Sequence, residues 1–463
     1  MHELLTHTLK HAEHYLAGLD QRPVAVPTDP AQVRARFDGP LPSGPTDPLT
    51  VVDELVAAAE PALVATAGPR YFGFVTGGSL PAALAADWLT SAWDQLAGAY
   101  VASPAASAAE AVAADWLAEL FGLPPGVSCG FVTGATMANF TALAAARHAV
   151  LKRRGIDIDR VGLAGAPPVH VLAGAERHVS IDLALRHLGI GTDHLTLVDV
   201  DDQGAMRPDD LAIHLHRLSG QPLIVCAQSG NVNTGAFDPL TDICRHATQA
   251  GAWTHIDGAF GLWAAASPAL AHHVTGLDLA DSWAVDAHKW LNVPYDNAVV
   301  FIRDPTEHHA ATGKTAPYMV SGGSDARENY QFTPETSRRA RGFTVYAALR
   351  SLGVSGITDL IDRNCAQARR FAGALAAEPH IDILNDVVLN QVMVRFRDPA
   401  AVQDDDARTR TVIERIHTDG TAWAGITAWR GLTALRVSVS GWKTTDADVD
   451  RAVHAIRHAA SAP

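Results

Sequence analysis

The sequence predicts an α/β protein: a large, mostly parallel sheet covered by helices, a smaller C-terminal α+β unit, and a helical arm ahead of both. Three observations carry this. Short apolar, β-branched runs alternate with helical stretches from about residue 71 to residue 303. These runs are short, mostly apolar and β-branched, which suits strands of a parallel sheet covered on both faces. Beyond residue 305 the alternation stops, and a different helix-and-strand pattern closes the chain.

Taken in order, residues 3–19 carry an amphipathic helical pattern, 22–48 read as a Pro-rich extended connector, and helical patterning resumes over 51–65. A helix pair of this kind cannot enclose a core alone. It is therefore expected to lie across a second copy of the chain, making an obligate homodimer. Strands are expected at 169–173, 195–198, 223–227, 253–256, 283–285 and 298–302, separated by helices such as 136–154, 178–188 and 239–250. Residues 305–335 are polar, contain Gly322-Gly323 and lack a period, which predicts an active-site loop or lid. Helices are expected at 337–352 and 359–377, then strands at 392–397 and 433–440 and a last helix at 446–459. The domain boundaries that follow are 1–68 for the arm, 69–355 for the large domain and 356–463 for the small one.

Composition narrows the function. The formal charge of 36 − 50 = −14 argues against nucleic acid or an anionic membrane as partner. Cys129, Cys226, Cys244 and Cys365 form no CxxC pair and read as buried small hydrophobes in a reducing compartment. No cationic segment leads into an apolar one at the N-terminus, and no window approaches the ~18 apolar residues of a membrane span. A cytoplasmic enzyme acting on a small molecule is the expectation.

Chemistry concentrates at a few strand ends. Asp286-Ala287-His288-Lys289-Trp290 follows the apolar run Ser282-Trp283-Ala284-Val285. A lysine held there, partly desolvated, can lose its proton near neutral pH and condense with an aldehyde. Trp253-Thr254-His255-Ile256-Asp257 is a second apolar run, ending in a carboxylate that suits a protonated pyridine nitrogen, although taken alone it also suits a cap or turn. His178, at a helix start, can stack a flat ring on a cofactor, or serve only as a helix-terminal residue. Residues 130–139 make a strand, a small-residue turn and a helix start able to hold a phosphate; alone, they read as an ordinary turn with a threonine cap. His7, His11 and His14 share a helix face at metal-compatible spacing, but no nearby acid supports them, so they read as a solvated face. HExxH, Walker A, GxSxG and GxGxxG motifs are absent.

Together these motifs resemble the group II pyridoxal phosphate (PLP)-dependent decarboxylases, the family of aromatic-L-amino-acid, histidine and glutamate decarboxylases. The likeness runs nearly end to end. It includes Tyr71-Phe72-Gly73-Phe74, Ser103-Pro104-Ala105, residues 134–139, His178-Val179-Ser180, Asn233-Thr234-Gly235, His255-Ile256-Asp257-Gly258-Ala259, Asp286-Ala287-His288-Lys289-Trp290 and Arg338-Arg339-Ala340-Arg341. The resemblance implies a fold-type I, aspartate aminotransferase-like architecture and pyridoxal 5'-phosphate as cofactor. By position, Lys289 would carry the cofactor aldehyde, Asp257 would pair with the ring nitrogen, and Ala259 and His178 would cover the two ring faces. Ala135, Thr136, Met137 and His288 would sit at the phosphate, and Asn231 near the ring substituents. Tyr318 would return a proton to the substrate α-carbon. Phe72, Phe74, Thr76 and Tyr100 are candidates for the substrate wall.

The sequence also departs from the family pattern. Gly230-Asn231-Val232 stands where many relatives carry Gly-Thr-Thr, Tyr295-Asp296-Asn297 replaces a usual Asp-Cys, and Gly73 lies where aromatic-substrate members have tyrosine. The implied reaction is decarboxylation of an aromatic or other bulky uncharged L-amino acid to its amine. Competing expectations are an aldehyde synthase, transaminase or carbon–carbon lyase on the same cofactor, and a non-enzymatic protein of the same fold.

Overall fold

In the computed structural model, which describes every residue except 27–28, 318, 320–321, 324–325, 399–403 and 462–463, the chain divides into two units. One gathers Met1–Thr76, Gln367–Leu384 and Val392–Pro463; the other holds Gly77–Ala366 and Asn385–Gln391.

The first unit opens with helices α1 (His2–Gly18), α2 (Pro30–Phe37) and α3 (Pro48–Ala59). Asp29 and Asp47 cap α2 and α3 by accepting from the backbone N–H of Ala31 and Thr50, each with proline in the first turn. The Asp-Pro start makes α2 a helix inside what reads as a connector; its apolar stripe is too short to show as a period. No residue of α1, α2 or α3 is buried. The short strand β1 (Tyr71–Phe72) follows.

The second unit begins with α4 (Pro81–Trp93) and α5 (Pro104–Leu120). Its sheet is built from β2 (Ser128–Val132), β3 (His170–Gly174), β4 (Leu195–Val198), β5 (Leu223–Gln228), β6 (Trp253–Asp257), β7 (Ser282–Asp286) and β8 (Ala298–Ile302). The spatial order is β2-β8-β7-β6-β5-β3-β4. Strands β4, β3, β5, β6 and β7 run parallel, and β8 and β2 join them antiparallel at one edge. The expected mostly parallel α/β sheet is therefore present.

Helix α6 (Ala135–Lys152) follows β2 directly and packs on the sheet through Ala138, Ala142, Leu143, Ala145, Ala146 and Ala149. Alanines let the helix axis approach the strands closely. The large apolar side chains around it each contribute about 1.5–3 kcal/mol by burial. The parallel strands all end on the same side, the usual place for a ligand site in such sheets.

The helical run Gly342–Ala376 is broken at Gly353 (φ 61, ψ 179), a left-handed residue, and so is two helices, as the sequence predicts. The remaining strands are β9 (Ile381–Ile383), β10 (Gln391–Phe396), β11 (Trp423–Trp429) and β12 (Leu432–Ser438), in the order β1-β11-β12-β10-β9. Tyr71 pairs with Trp423 in parallel register. The buried Arg70 guanidinium reaches Asp448 at 3.3 Å and the Thr421 carbonyl at 2.8 Å, tying the N-terminal segment to the C-terminal one. Beyond residue 303, two further helices lie outside the expected set: Pro305–Thr312, inside the predicted loop and capped by Asp304, and Asp405–Asp419, capped by Asp404. Among the described residues no helix is long and apolar enough to cross a membrane.

Candidate active site

Lys289 sits in the turn after β7. That turn is held by the backbone N–H groups of Ala287 and His288, which both donate to the Asn297 carbonyl at 3.1 Å. Two indoles brace it: Trp263 Nε1 donates to the Asp286 carbonyl (3.1 Å) and Trp290 Nε1 to Asn364 Oδ1 (3.0 Å). With its backbone so fixed, the lysine side chain is 19% exposed and its Nζ lies 3.0 Å from Asp286 Oδ2.

The same carboxylate gathers more donors. Its Oδ1 accepts the N–H of Ala135, the first residue of α6, at 2.6 Å and lies 3.4 Å from His288 Nε2. His288 Nδ1 accepts from the Asn297 N–H at 3.0 Å, which leaves the ring proton on Nε2, facing Asp286. Burial first, and then the Lys289 charge, push the His288 imidazole below its ordinary range against the opposing pull of Asp286. A helix N-terminus, an ammonium and an imidazole N–H thus converge on one anion, the chemistry of a phosphate seat.

Asp257 ends β6, fully within the sheet, and accepts from Asn139 Nδ2 at 3.0 Å and the Ala259 N–H at 3.2 Å. Ser180 Oγ stands 3.4 Å from the same carboxylate and 2.8 Å from His178 Nδ1. His178 caps the helix Val179–His187, its Nδ1 also accepting the Ser180 N–H. The chain of polarity can be followed further. A carboxylate only accepts, so Asn139 presents its NH2 to Asp257 and its Oδ1, 2.9 Å away, to His255 Nε2–H. His255 Nδ1 then accepts from the Ser282 hydroxyl (3.0 Å), which itself accepts from Trp253 Nε1 (2.9 Å). Burial pushes His255 down to about 4, so it is neutral in this network at pH 7.

Strand register explains the convergence. Asp257 pairs with Ala284, and His255 with Ser282, so all four face the same side of the sheet as Asp286, two residues beyond Ala284. Ala135 and Asn139 are one turn apart on α6, about 6 Å along its axis, and so reach the Asp286 and Asp257 clusters from one helix. Among the described residues Asp257 makes no ion pair. A buried carboxylate without a cation, one turn from an anion seat and a lysine, fits a flat molecule with a phosphate at one end and a protonated ring nitrogen at the other. Pyridoxal phosphate has that form.

Other candidates fall as follows. Ala259 is half-buried beside Asp257, and in the first turn of α6 Thr136 is exposed and Met137 half-buried. Asn231 is buried and shapes its own turn, its Oδ1 accepting the N–H of Asn233 and Thr234 and its Nδ2 donating to the Glu176 carbonyl. Tyr100 belongs to the second unit, where Glu328 accepts both its N–H and that of Gly322. Phe72, Phe74 and Thr76 belong to the first unit. There Phe72, 2% exposed, packs edge-to-face on Phe371, while Phe74, 60% exposed, stacks on Trp423 at 5.5 Å. Tyr318 lies outside the described residues.

Asn139, Ser180, His255 and Asp286 are site residues that motif reading passes over. The available signal was spacing: His255 precedes Asp257 by two on a strand, Asp286 precedes Lys289 by three, and Asn139 follows Ala135 by four on a helix. Replacing Asn139 with leucine would leave His255 Nε2–H without its partner and Asp257 Oδ2 with only the longer contact from Ser180 Oγ at 3.4 Å. Unfolding in urea is expected to show a loss of about 1–3 kcal/mol.

Comparison with known proteins matches this architecture. Residues 30–397 match the family model described as the pyridoxal-dependent decarboxylase conserved domain. Tryptophan decarboxylase 1 of Oryza sativa subsp. japonica is 28% identical over 456 residues, covering 92% of this chain and 87% of that protein. Phenylacetaldehyde synthase of Petunia hybrida is 24% identical over 475 residues, covering 96% of this chain and 91% of that protein. The crystal structure of Oryza sativa TDC with PLP and tryptamine superimposes with a TM-score of 0.93 at 24% identity, covering 99% of this chain and 97% of that one. This last likeness speaks to the fold.

Proposed function

This chain belongs to the pyridoxal-dependent decarboxylase family, and from that membership we propose that it removes the carboxyl group of a free aromatic L-amino acid, releasing the amine and carbon dioxide. That it is an amino acid decarboxylase using pyridoxal phosphate follows from the family; the substrate class and the residue roles are the proposal. The observation that carries the roles is a buried Asp257 that makes no ion pair among the described residues, together with Lys289 beside Asp286; the two carboxylates are held by Asn139 and Ala135, one turn apart on α6. The aromatic substrate is supported by the names of the relatives that align over nearly the whole chain.

In this reading Lys289 holds the cofactor aldehyde, and the first amides of α6 (Ala135, Thr136, Met137) with His288 hold its phosphate. When bound, the pyridoxal ring accepts the electron pair released as carbon dioxide leaves. Asp257, fixed by Asn139 and Ala259, keeps a proton on the ring nitrogen, because a buried carboxylate without a cation is costly. His178, its Nδ1 engaged by Ser180, and Ala259 would cover the two faces of the ring. Asp286 Oδ2 steadies the ammonium form of Lys289 whenever the lysine is free. Asn231 shapes the neighbouring turn. Tyr318 delivers the proton to the substrate α-carbon, and Phe72, Phe74, Thr76 and Tyr100 are assigned to the substrate side-chain preference.

The test is direct. Holoenzyme incubated with a panel of amino acids is expected to release carbon dioxide and amine from tryptophan, tyrosine or phenylalanine, and not from glutamate. Preference for an acidic substrate would refute the proposed class. A second reading, aldehyde formation, is favoured by the near full-length likeness to phenylacetaldehyde synthase. It is distinguished by product: wild type yields amine, and Tyr318→Phe is expected to shift product toward aldehyde with peroxide. A Tyr318→Phe enzyme making amine at the wild-type rate would remove Tyr318 from its role.

The assembly is proposed to be a homodimer in the cytoplasm. Leu5, Leu9, Val51 and Leu55 are exposed on α1 and α3, helices with no buried residue of their own, and all four cysteines are free and buried. An active monomer in sedimentation would overturn the dimer.

A further inference from the structure

Far along the chain from Lys289, α1 and α3 bring three metal-ligating side chains to one point. His7 and His11 are one turn apart on α1, their rings edge-to-face with centroids 4.8 Å apart. Both direct Nε2 at the same oxygen of Asp53 on α3, at 2.6 Å and 2.9 Å, and the two Nε2 atoms are 3.2 Å from each other. The sequence offers the histidines without an acid; the fold supplies one from a separate helix.

We propose that His7, His11 and Asp53 bind a divalent cation of the zinc class and that this ion ties α1 to α3. Metal–ligand bonds of ~2.0–2.1 Å at a tetrahedral angle place ligand atoms about 3.3 Å apart. The imidazole nitrogens already stand at that separation, and the carboxylate oxygen needs to retreat by only a few tenths of an ångström. Two imidazoles and one carboxylate suit zinc over calcium or magnesium, which prefer all-oxygen shells. Three protein ligands leave one position for water, and the half-exposed rings leave a path for the ion. A tether matters here because neither helix has a buried residue to hold it.

The experiment uses full-length, tag-free holoenzyme stripped with chelator, dialysed against zinc chloride and analysed for metal by mass spectrometry. One zinc per chain is expected in wild type and in His14→Ala, and none in His7→Ala, His11→Ala or Asp53→Ala. Absence of zinc in wild type, or full retention in His11→Ala, overturns the proposal. Because a variant could lose the arm's structure, a second measurement uses wild type alone. Zinc is expected to shield His7 and His11, but not His14, from diethyl pyrocarbonate. Equal modification of all three with and without zinc also overturns it.

Discussion

Replacing Lys289 with alanine is expected to lower turnover by at least ~10³-fold, the scale of losing a group that both anchors the reactants and moves protons. The visible absorbance of the lysine-bound cofactor should vanish with it. No other described lysine can take over within the second unit: Lys152 pairs with Glu307 at 2.9 Å, and Lys314 donates to the carbonyls of Thr333 and Pro334. The fold should survive, because Asp286 keeps the Ala135 N–H and the His288 ring when the ammonium is gone. Far-UV circular dichroism checks that point, and stopped-flow or product assays check the rate. Activity within tenfold of wild type would remove Lys289 from the centre of the mechanism.

Replacing Arg338 with alanine is expected to cost about 3–5 kcal/mol of stability, because it strands a buried charge. Arg338 and Glu110 form a two-pronged pair, Nη1–Oε1 2.6 Å and Nη2–Oε2 2.7 Å, with side chains only 2% and 0% exposed. Burial works against the guanidinium, but the Glu110 charge and hydrogen bonds outweigh it and hold Arg338 above its ordinary range. The surroundings of Glu110 are close-packed, since a Cβ at Gly342 would stand 2.3 Å from Glu110 Cγ. The double change Arg338→Met with Glu110→Leu removes both charges and should recover most of the loss, which a double-mutant cycle in urea would measure. If the single variant loses less than the double one, the pair is not what holds this region.

The large sheet was legible because most of its strands are short, largely apolar runs between turn residues, buried through their length apart from the edge strand β4. Strands β9 and β11 were not: β11 alternates irregularly between buried and exposed residues, and β9 is three residues long. Helices Pro305–Thr312 and Asp405–Asp419 escaped because charged and small residues dilute their apolar stripe, although the caps Asp304 and Asp404 were readable. At the site, Lys289, Asp257 and His178 stand out as motif residues. Their connection through Asn139 does not, because Asn139 and Asp257 are 118 residues apart and only the strand order brings α6 over both.

Gly73 and Trp423 make one steric unit. A Cβ on Gly73 would fall 2.1 Å from Trp423 Cζ3, while the indole lies flat against Tyr71 and His417 at 5.0 Å and 5.1 Å. Aromatic bulk at this point is delivered from the neighbouring strand, by Trp423. Engineering that transplants a tyrosine into position 73 must therefore vacate position 423 in the same step, and ranking either position alone will misjudge both.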